Sequence, residues 1–325
     1  RTIWRDDGSP LLAYGVALCD GLDAALQREG TAAVVRLAMR YGQPTIGGAL
    51  DAFAAEGVDR IVVVPLFPQY SSAAFGSAVE RVATLAAARW NTPDLTFVRP
   101  FFDDEGFIAA TAAVTARTFA SVGGVETFDH ILMSFHGLPE RHCKRSDETG
   151  AHCLVKPDCC DQLVAANRNC YRAQCVRTAN LVANALGLPK ERWSLAFQSR
   201  LGRTPWIRPF TDEVLAILGA RKLARIAVLE PSFVADCLET VEEIGDRGRA
   251  IFSEAGGGEL VLVPCLNAES LWVDAVAALV RPHLAVDAAA APGAASTSAT
   301  GTAAEIAPEM ASANLATATT VASST

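Results

Sequence analysis

The sequence has no apolar run long enough to cross a membrane. The run Ile61–Phe67 has the length of a strand, whereas a membrane-spanning helix needs roughly 18 or more consecutive apolar residues. The chain also lacks a surplus of positive charge. Its formal net charge of −8 at pH 7 disfavours a nucleic-acid partner, which would require a basic face. A peripheral membrane contact leaves no such signature and stays open.

Both ends of the sequence have a distinct character. The chain begins at Arg1 rather than at a methionine, and Thr2–Arg5 resembles the middle of a helix, so we expect an N-terminal segment to be missing and cannot judge targeting. From about residue 285 the chain consists mostly of Ala, Ser, Thr and Gly. Such a segment has too few large apolar side chains to offset the entropy of ordering. We expect a disordered tail over 285–325.

Apolar runs of strand length alternate with helix-like stretches in the rest of the chain. Half of the residues are hydrophobic and 20% are charged, which is ample for a packed core. This alternation is typical of an α/β fold with parallel sheets covered on both faces. We predict two lobes, 1–125 and 126–284. Strands are expected at 61–67, 95–98, 130–135, 193–197, 225–229 and 260–263, and helices at 77–89, 108–119, 178–186, 234–244 and 270–280.

A histidine follows the strand predicted at 130–135, in the motif Ser134–Pro139. In open α/β sheets the ligand crevice lies outside the carboxyl ends of the strands. An imidazole at His136 is therefore placed to accept a proton near neutral pH, and Gly137 lets the backbone approach a ligand closely. The residues alone leave a second interpretation open, in which His136 is a hydrogen-bonded structural histidine.

Three carboxylates share one face of the helix predicted at 234–244. Asp236, Glu239 and Glu243 are spaced i, i+3 and i+7, and such residues are neighbours on a helix surface. A row of hard oxygen ligands suits the passage of a divalent metal ion or of protons. Periodicity alone favours an ordinary amphipathic helix with a solvated acidic face, and both interpretations stay open.

Cysteines are concentrated in one polar segment, since six of the nine lie within 33 residues. That segment has no Cys-x-x-Cys pair of the kind found in zinc sites. An iron–sulfur cluster would need four thiolates, a disulfide would need an oxidising compartment, and a zinc site could recruit His142 or His152. The six residues are Cys143, Cys153, Cys159, Cys160, Cys170 and Cys175.

The segment Phe197–Pro209 also leaves a predicted strand and contains arginines, a serine and a tryptophan. Together these side chains could meet a planar ligand that carries carboxylates. For any single residue here, a solvated loop is the simpler interpretation.

Five segments, in this order, resemble the motifs of the ferrochelatase family. The resemblance spans about residues 1–280 and implies the chelatase fold, which has two Rossmann-like lobes of parallel sheets flanked by helices and a porphyrin cleft between them. It implies a lyase that takes Fe2+ as a substrate, inserts it into protoporphyrin IX or coproporphyrin III and releases two protons in a terminal step of haem biosynthesis. The segments are Arg40–Pro44, Pro65–Ser71, Ser134–Pro139, Phe197–Pro209 with Thr211–Glu213, and Phe233–Ile244.

The same resemblance implies roles for single residues. His136 is the implied catalytic histidine, and Glu239 is the carboxylate that faces it across one cleft from a different strand end of the same sheet. Together with Asp236 and Glu243 they form the implied path of the iron. Porphyrin contacts are implied for Arg40, Tyr70, Ser134 and Trp206.

The cysteine-rich insertion, at about 142–175, resembles one found in some bacterial ferrochelatases. This resemblance implies a [2Fe–2S] cluster held by four of five cysteines. It also implies a cytoplasmic protein, with a peripheral contact to the inner membrane left open. The five candidates are Cys153, Cys159, Cys160, Cys170 and Cys175.

Two other functions stay open at this point. Cobalt or nickel chelatases that act on sirohydrochlorin resemble this pattern, but they tend to carry a second histidine where this chain has Glu239. The other candidates are a two-lobed binding protein and an iron–sulfur redox sensor that keeps the fold without the activity. The presence of both His136 and Glu239 disfavours them.

Overall fold

The computed structural model describes residues 3–284 of the 325-residue chain, and the tail predicted at 285–325 lies outside the described residues. The helix predicted near Thr2–Arg5 is wrong, because Arg5 and Gly8 exchange main-chain hydrogen bonds of 2.9 and 3.2 Å that close a tight turn. The first helix begins at Pro10, where Ser9 Oγ accepts a hydrogen bond from the Leu12 amide and caps the helix.

A short parallel sheet organises the first lobe. Strand β1 (Arg60–Val63) pairs with strand β2 (Asp94–Phe97), and within residues 3–284 this sheet has these two strands. The helices of this lobe are α1 (Pro10–Arg28), α2 (Ile46–Ala55), α3 (Ser77–Ala87) and α4 (Glu105–Ser121), with a π-helical segment, Ser72–Gly76, before α3.

A second parallel sheet follows, in the strand order β4-β3-β5-β6. Strand β3, which lies between β4 and β5, is buried along almost its whole length. This burial explains why the strand is one continuous apolar run in the sequence. The strands predicted in this half of the chain are confirmed to within about one residue. Their bounds are β3 (His130–His136), β4 (Trp193–Gln198), β5 (Arg225–Leu229) and β6 (Glu259–Leu262).

Helices flank this second sheet. Short 3-10 turns stand before β3, α6 and β4, at Val125–Thr127, Ala165–Asn167 and Lys190–Arg192. The helices are α5 (Glu140–Ser146), α6 (Tyr171–Ala185), α7 (Thr211–Ala220), α8 (Leu238–Thr240), α9 (Arg249–Glu254) and α10 (Ser270–Leu284).

The helix predicted at 234–244 is wrong in its start and in its period. Residues 234–237 are not helical, and α8 begins only at Leu238. After one turn the chain continues as a π-helix, Val241–Gly248, up to α9. A π-helix bonds residue i to i+5, so the spacing i, i+3, i+7 no longer aligns side chains as it does in an α-helix. The predicted row of three carboxylates therefore does not form on one helix face.

One hydrophobic core joins the two lobes. Its largest buried cluster combines side chains of α1, α4, α6 and α10 with strands from both sheets. Within it, Trp272 of α10 packs against Phe101 and Phe107, with ring centroids 5.4 and 5.9 Å apart. Helix α10, which the predicted boundaries assign to the second lobe, thus packs on the first. The lobe boundaries at 125/126 and 284/285 stay predictions.

The sheet topology brings three strand ends to one edge. Strand β3 lies between β4 and β5, and all three run parallel. Their last residues are His136, Gln198 and Leu229. The carboxyl ends of neighbouring parallel strands meet at the same edge, which is where ligands bind in open α/β sheets. We call this the strand-end edge.

Candidate functional site

His136 is partly exposed at the strand-end edge. Its main-chain amide donates to Ser232 Oγ at 2.9 Å, on the loop that follows β5. Its ring nitrogen Nδ1 lies 2.7 Å from the carbonyl oxygen of Gly137, and because a carbonyl can only accept, Nδ1 carries the hydrogen. In the neutral ring the lone pair is then on the other nitrogen, Nε2, which can accept a proton or bind a metal ion.

Gln198, the last residue of β4, connects two of the predicted site residues. Its Oε1 accepts a hydrogen bond from Ser134 Oγ at 2.5 Å, and its Nε2 donates to the main-chain oxygen of Glu239 at 2.8 Å. Ser134 is fully buried and also bonds to Thr211 at 2.7 Å. Burial leaves Ser134 no open side for the predicted porphyrin contact. Its hydroxyl instead fixes Gln198, which in turn fixes the backbone of Glu239.

Two carboxylates follow one another along α8 and the π-helix. Glu239 is partly exposed, beside the thiol of Cys237. Glu243 accepts two hydrogen bonds from Ser199, from its amide at 2.8 Å and from its hydroxyl at 2.7 Å. Ser199 follows β4 directly and has a φ of 65°, an uncommon backbone conformation for a residue with a side chain. Glu243 is thereby fixed at the strand-end edge, with lone pairs still free on its oxygens.

Asp236 does not continue this series. It lies before α8, and its Oδ1 accepts from the Cys265 amide at 3.1 Å while its Oδ2 accepts from Asn267 Nδ2 at 2.7 Å. The Asp236 amide donates to Asn267 Oδ1 at 2.8 Å. These bonds hold the loop after β5 against the loop after β6. We infer a structural role for Asp236 in place of the predicted position on a metal path.

The loop after β1 reaches the same edge from the first lobe. Gln69 is buried, and its Nε2 donates to the Pro231 carbonyl at 3.2 Å and to Thr178 Oγ1 at 3.1 Å. The next amide, that of Tyr70, donates to Gln174 Oε1 at 2.6 Å. Because Pro231 follows β5, these bonds hold Tyr70, a predicted contact residue, beside the second lobe.

Trp206, another predicted contact residue, packs against Gly137, the residue that follows the histidine. A Cβ atom at Gly137 would lie 3.2 Å from the Trp206 ring and 2.7 Å from the Gln198 carbonyl oxygen. Position 137 therefore has room only for a glycine. The indole nitrogen donates to the Leu201 carbonyl at 2.9 Å and fixes the orientation of the ring.

Arg40 is the predicted contact residue with the weakest connection to the strand-end edge. Its guanidinium stacks on the ring of Tyr41, 4.0 Å from the centroid. Its Nε atom is buried and finds no hydrogen-bond partner among the described residues. Its predicted contact with a substrate stays a prediction.

A buried carboxylate that the sequence pattern did not single out follows β5. Glu230 is 5% exposed, and neither of its carboxylate oxygens has a hydrogen-bond partner within residues 3–284. Burial raises the pKa of Glu230 well above its usual range; the nearby Gln198 amide lowers it by less, and the negative charges of Asp236, Glu243 and Glu239 add to the rise. The sequence signal for it, one acidic residue directly after a strand, is too weak to recognise.

Four cysteine sulfurs gather near the start of α6. The thiols of Cys143, Cys160 and Cys153 lie around the sulfur of Cys170 and, that of Cys143 foremost, lower the pKa of Cys170. All four side chains are buried. Cys143 comes from α5, a few residues after His136, and it is absent from the set of five that the resemblance implies. We call these residues the cysteine group.

Cys159 and Cys175 have other surroundings. The Cys159 sulfur accepts from the Leu154 amide at 3.4 Å and lies 3.7 Å from the sulfur of its neighbour Cys160. The Cys175 thiol is fully buried against the phenol of Tyr171. All nine cysteines lie in the described part of the chain, and all nine are free thiols there.

The surroundings of the cysteine group bear on which metal it suits. Within residues 3–284 no three His, Cys, Asp or Glu side chains converge as ligands of a single ion. A tetrahedral zinc site needs sulfurs about 3.8 Å apart, given Zn–S bonds of about 2.3 Å, whereas two irons spread their four thiolates further. Arg172 donates to the Cys160 sulfur at 3.1 Å and places a positive charge beside the group. Four thiols are the number of protein ligands that an iron–sulfur cluster needs.

Comparison with known proteins extends over most of the chain. The family model for ferrochelatase matches residues 1–284. The ferrochelatase of Stutzerimonas stutzeri is 44% identical over 279 residues, which cover 86% of this chain and 79% of the relative. That of Azotobacter vinelandii is 45% identical over 281 residues, which cover 86% of this chain and 80% of the relative.

Solved chelatase structures share the fold at low sequence identity. SirB from Bacillus subtilis with Fe3+ matches with a TM-score of 0.56 at 16% identity, covering 86% of this chain and 92% of that one. CbiX, the terminal enzyme for biosynthesis of siroheme in denitrifying bacteria, matches with a TM-score of 0.51 at 16% identity, covering 86% and 96%. These matches confirm the predicted α/β chelatase fold. With the match over residues 1–284 and relatives above 40% identity, the chain belongs to the ferrochelatase family.

Proposed function

We propose that this chain is a ferrochelatase that inserts Fe2+ into a porphyrin and releases two protons, a step of haem biosynthesis. Membership in the family supports the reaction class. At the level of residues, one observation carries the proposal. The hydrogen bond between Nδ1 of His136 and the Gly137 carbonyl leaves Nε2 with a free lone pair at the strand-end edge.

The reaction exchanges two pyrrole protons for one divalent ion. Both inner N–H protons of a free-base porphyrin must leave before four nitrogens can bind Fe2+, so two positive charges enter and two leave. We assign Nε2 of His136 and the carboxylate of Glu239 as the two groups that accept protons and receive the ion. Gln198 supports this assignment, because it fixes the backbone of Glu239 at the strand end next to that of His136. Glu243 follows along the π-helix as the next oxygen ligand.

The porphyrin would lie between the two lobes. The rings of Tyr70 and Trp206 are suitable walls for a planar macrocycle, since Tyr70 belongs to the first-lobe loop held by Gln174 and Trp206 packs against Gly137. The Arg40 guanidinium, which stacks on the Tyr41 ring, suits a propionate carboxylate. These contacts rest on the family resemblance and on the placement of the side chains.

The direct test is a metallation assay with the full-length chain under anaerobic conditions. Ferrous iron is mixed with protoporphyrin IX or with coproporphyrin III, and the metalloporphyrin is followed by its absorbance. We expect turnover with one or both porphyrins and none with cobalt and sirohydrochlorin. Absence of turnover with both porphyrins would contradict the proposal.

We further propose that the cysteine group, Cys143, Cys153, Cys160 and Cys170, holds a [2Fe–2S] cluster. The convergence of three thiols on the Cys170 sulfur supports this set. It replaces Cys159 and Cys175 of the implied five by Cys143. When bound, such a cluster supplies a one-electron redox couple whose potential depends on hydrogen bonds to the sulfurs and on nearby charge. Arg172 provides a hydrogen bond to the Cys160 sulfur and a positive charge beside it.

Metal analysis tests this ligand set. Anaerobically purified protein is expected to be brown and to contain about two irons and two sulfides per chain, as the cluster formula requires. Cys143→Ser and Cys170→Ser should lose the iron, whereas Cys175→Ser and the distant Cys19→Ser should keep it. Colourless protein loaded with zinc would refute the cluster, and iron loss in Cys175→Ser would refute the ligand set.

We propose a cytoplasmic location, because nine free thiols, eight of them buried, suit a reducing compartment. Among the described residues no helix is both long and apolar enough to cross a membrane. For a peripheral contact with the inner membrane, we propose the exposed side chains of Leu201 and Leu238, which flank the site. Co-sedimentation with anionic lipid vesicles tests this contact. Equal binding by wild type and the double variant Leu201→Ser, Leu238→Ser would refute it.

A further inference from the structure

We propose that Gln174 is a positioning residue that connects the cysteine-rich segment to the porphyrin cleft. Through it, a filled cysteine group holds Tyr70 in place, and loss of the bound group weakens porphyrin binding. This inference rests on the proposed function of the cleft and of the cysteine group.

The side chain of Gln174 bridges two distant parts of the chain. It is 2% exposed, on the second turn of α6. Its Oε1 accepts the hydrogen bond from the Tyr70 amide at 2.6 Å, and its Nε2 donates to the Arg168 carbonyl at 2.7 Å. Tyr70 belongs to the first-lobe loop at the cleft, and Arg168 belongs to the cysteine-rich segment. The buried side-chain amide of Gln174 thus links the two segments, since its oxygen bonds to one and its nitrogen to the other.

In the cysteine-rich segment, main-chain hydrogen bonds connect the bridge to Cys170, a proposed cluster ligand. Arg168 stands two residues before Cys170. The Cys170 amide donates to the Asn167 carbonyl at 2.9 Å, and the Gln174 amide donates to the Cys170 carbonyl at 3.0 Å. The Asn167 side chain donates to the Cys159 carbonyl at 2.8 Å. A shift of Cys170 therefore moves both the carbonyl that Gln174 binds and the helix that carries Gln174.

At the cleft, helix α6 binds the loop that carries Tyr70 at a second point. Thr178, one turn further along α6, accepts a hydrogen bond from Gln69, the residue before Tyr70. Residues four apart share a helix face, so one face of α6 holds two successive residues of the cleft loop. On the same helix, the phenol of Tyr171 lies near Ser232, which accepts from the His136 amide. Helix α6 thereby contacts both walls of the cleft.

A simpler interpretation is that Gln174 only satisfies two buried main-chain groups. A buried donor or acceptor without a partner is costly, so either interpretation predicts that a variant is less stable. The interpretations differ in one respect. If Gln174 carries the connection, emptying the cysteine group has no further effect on porphyrin binding once Gln174 is replaced. If Gln174 only satisfies these two groups, the losses of binding free energy from replacing Gln174 and from emptying the cysteine group add.

A double-mutant cycle on the full-length chain separates these cases. The affinity for protoporphyrin IX is measured by fluorescence in the absence of iron, so that no turnover is needed, in wild type, Cys170→Ser, Gln174→Leu and the double variant. We expect each single change to weaken binding about tenfold, the ratio that corresponds to 1.4 kcal/mol, and the double variant to bind no more weakly than the singles. The inference would be overturned if the affinity of the double variant fell by the product of the two single-variant factors. Unchanged affinity in Gln174→Leu would also overturn it.

Two further variants make the cycle robust. Asn180→Leu is the matched control, because within residues 3–284 the Asn180 amide bonds only to Val176 of its own helix, and it should keep wild-type affinity. If Gln174→Leu does not fold, Gln174→Met, unbranched and of similar length, takes its place in the cycle with the same expected outcome.

A readout without porphyrin separates failure of this inference from failure of the proposed function. If wild-type protein does not bind protoporphyrin, the proposed function fails. The amide resonance of Tyr70 in an isotope-labelled sample then still tests the bridge. Emptying the cysteine group with Cys170→Ser should shift this resonance in wild type and leave it unchanged in the Gln174→Leu background. An unshifted resonance in Cys170→Ser alone would refute the connection.

Discussion

The main-chain amide of His136 donates a 2.9 Å hydrogen bond to the hydroxyl of Ser232. His136 is the last residue of β3 and Ser232 follows β5, and the paired register of these adjacent parallel strands ends at Met133 and Leu229. Ser232 therefore extends the connection between the strands beyond the end of their ladder, at the point where the imidazole leaves the sheet. The orientation of the proposed base depends on this bond and on the bond from its own Nδ1 to Gly137.

The first prediction concerns this bond. Ser232→Ala leaves the half-buried His136 amide without its acceptor, which should reduce the free energy of unfolding by about 1–3 kcal/mol and lower kcat for metallation more than it raises KM. Urea unfolding and the anaerobic assay measure the two effects. Ser121→Ala, at the exposed end of α4, should change neither. Wild-type kcat in Ser232→Ala would show that the bond does not position the histidine.

The second prediction concerns the glycine beside the histidine. Gly137→Ala places a Cβ atom 2.7 Å from the Gln198 carbonyl oxygen and 3.2 Å from the Trp206 ring, so the backbone or the indole must move. We expect a loss of about 1–3 kcal/mol in stability, as for other overpacked sites, and weaker porphyrin binding. Thermal unfolding and fluorescence titration test this. Gly47→Ala, whose Cβ would meet nothing closer than 4.0 Å, is the control. An alanine tolerated equally at both positions would contradict the packing described here.

The third prediction follows from the raised pKa of Glu230. The unfolded chain releases this proton near the usual value of about 4.3, whereas burial keeps it on the folded protein to higher pH. Between the two values the folded state binds more protons than the unfolded state, so stability is complete below the unfolded pKa and falls as the pH rises. Glu230→Gln, which stays neutral, should gain stability over wild type at pH 8 and little at pH 5.

Urea midpoints at the two pH values measure this difference, with the exposed Glu254→Gln as the control. A gain that is larger at pH 5 than at pH 8 would show that the sign is wrong. No gain at either pH would show that Glu230 is ionised and stabilised in the folded protein.

The fourth prediction concerns Arg172, whose guanidinium donates to the Cys160 sulfur at 3.1 Å. A positive charge beside the proposed cluster favours the reduced, more negative state. Arg172→Gln should lower the reduction potential by tens of millivolts, where about 59 mV is a tenfold change for one electron. A redox titration followed by electron paramagnetic resonance measures the potential, with the exposed Arg168→Gln as the control. An unchanged or higher potential would contradict this role.

The fold was predictable because its strands are nearly all apolar. His130–Phe135 is buried on both sides, and so its position in a parallel sheet can be recognised from composition alone. The acidic segment was not predictable in the same way. Its first residues are tied to the β6 loop through Asp236 and Asn267, and the helix that follows has a π rather than an α period. Both features arise from contacts distant in sequence, and a helical periodicity argument cannot anticipate them.

The cysteine group shows the same limit. Cys143 lies ten residues before the next cysteine, on α5 rather than in the loop that holds the others, and spacing alone gave no reason to include it. Its contact with Cys170 arises from the packing of α5 on α6. Conversely, Cys175 has suitable spacing, but its thiol is fully buried against the phenol of Tyr171. Ser134 belongs to the predicted motif, yet it acts inside the sheet.

The measurement that tests the central claim most directly is the metallation rate of His136→Ala. Loss of a general base typically reduces the rate about 10²–10⁴-fold, and we expect a reduction in this range with ferrous iron and the porphyrin that wild type accepts, while His283→Gln, at the end of α10, keeps the wild-type rate. Porphyrin binding in His136→Ala, followed by fluorescence, should persist and show that the site is intact. A wild-type rate in His136→Ala would contradict the assignment of His136, and with it the proposed chemistry of the site.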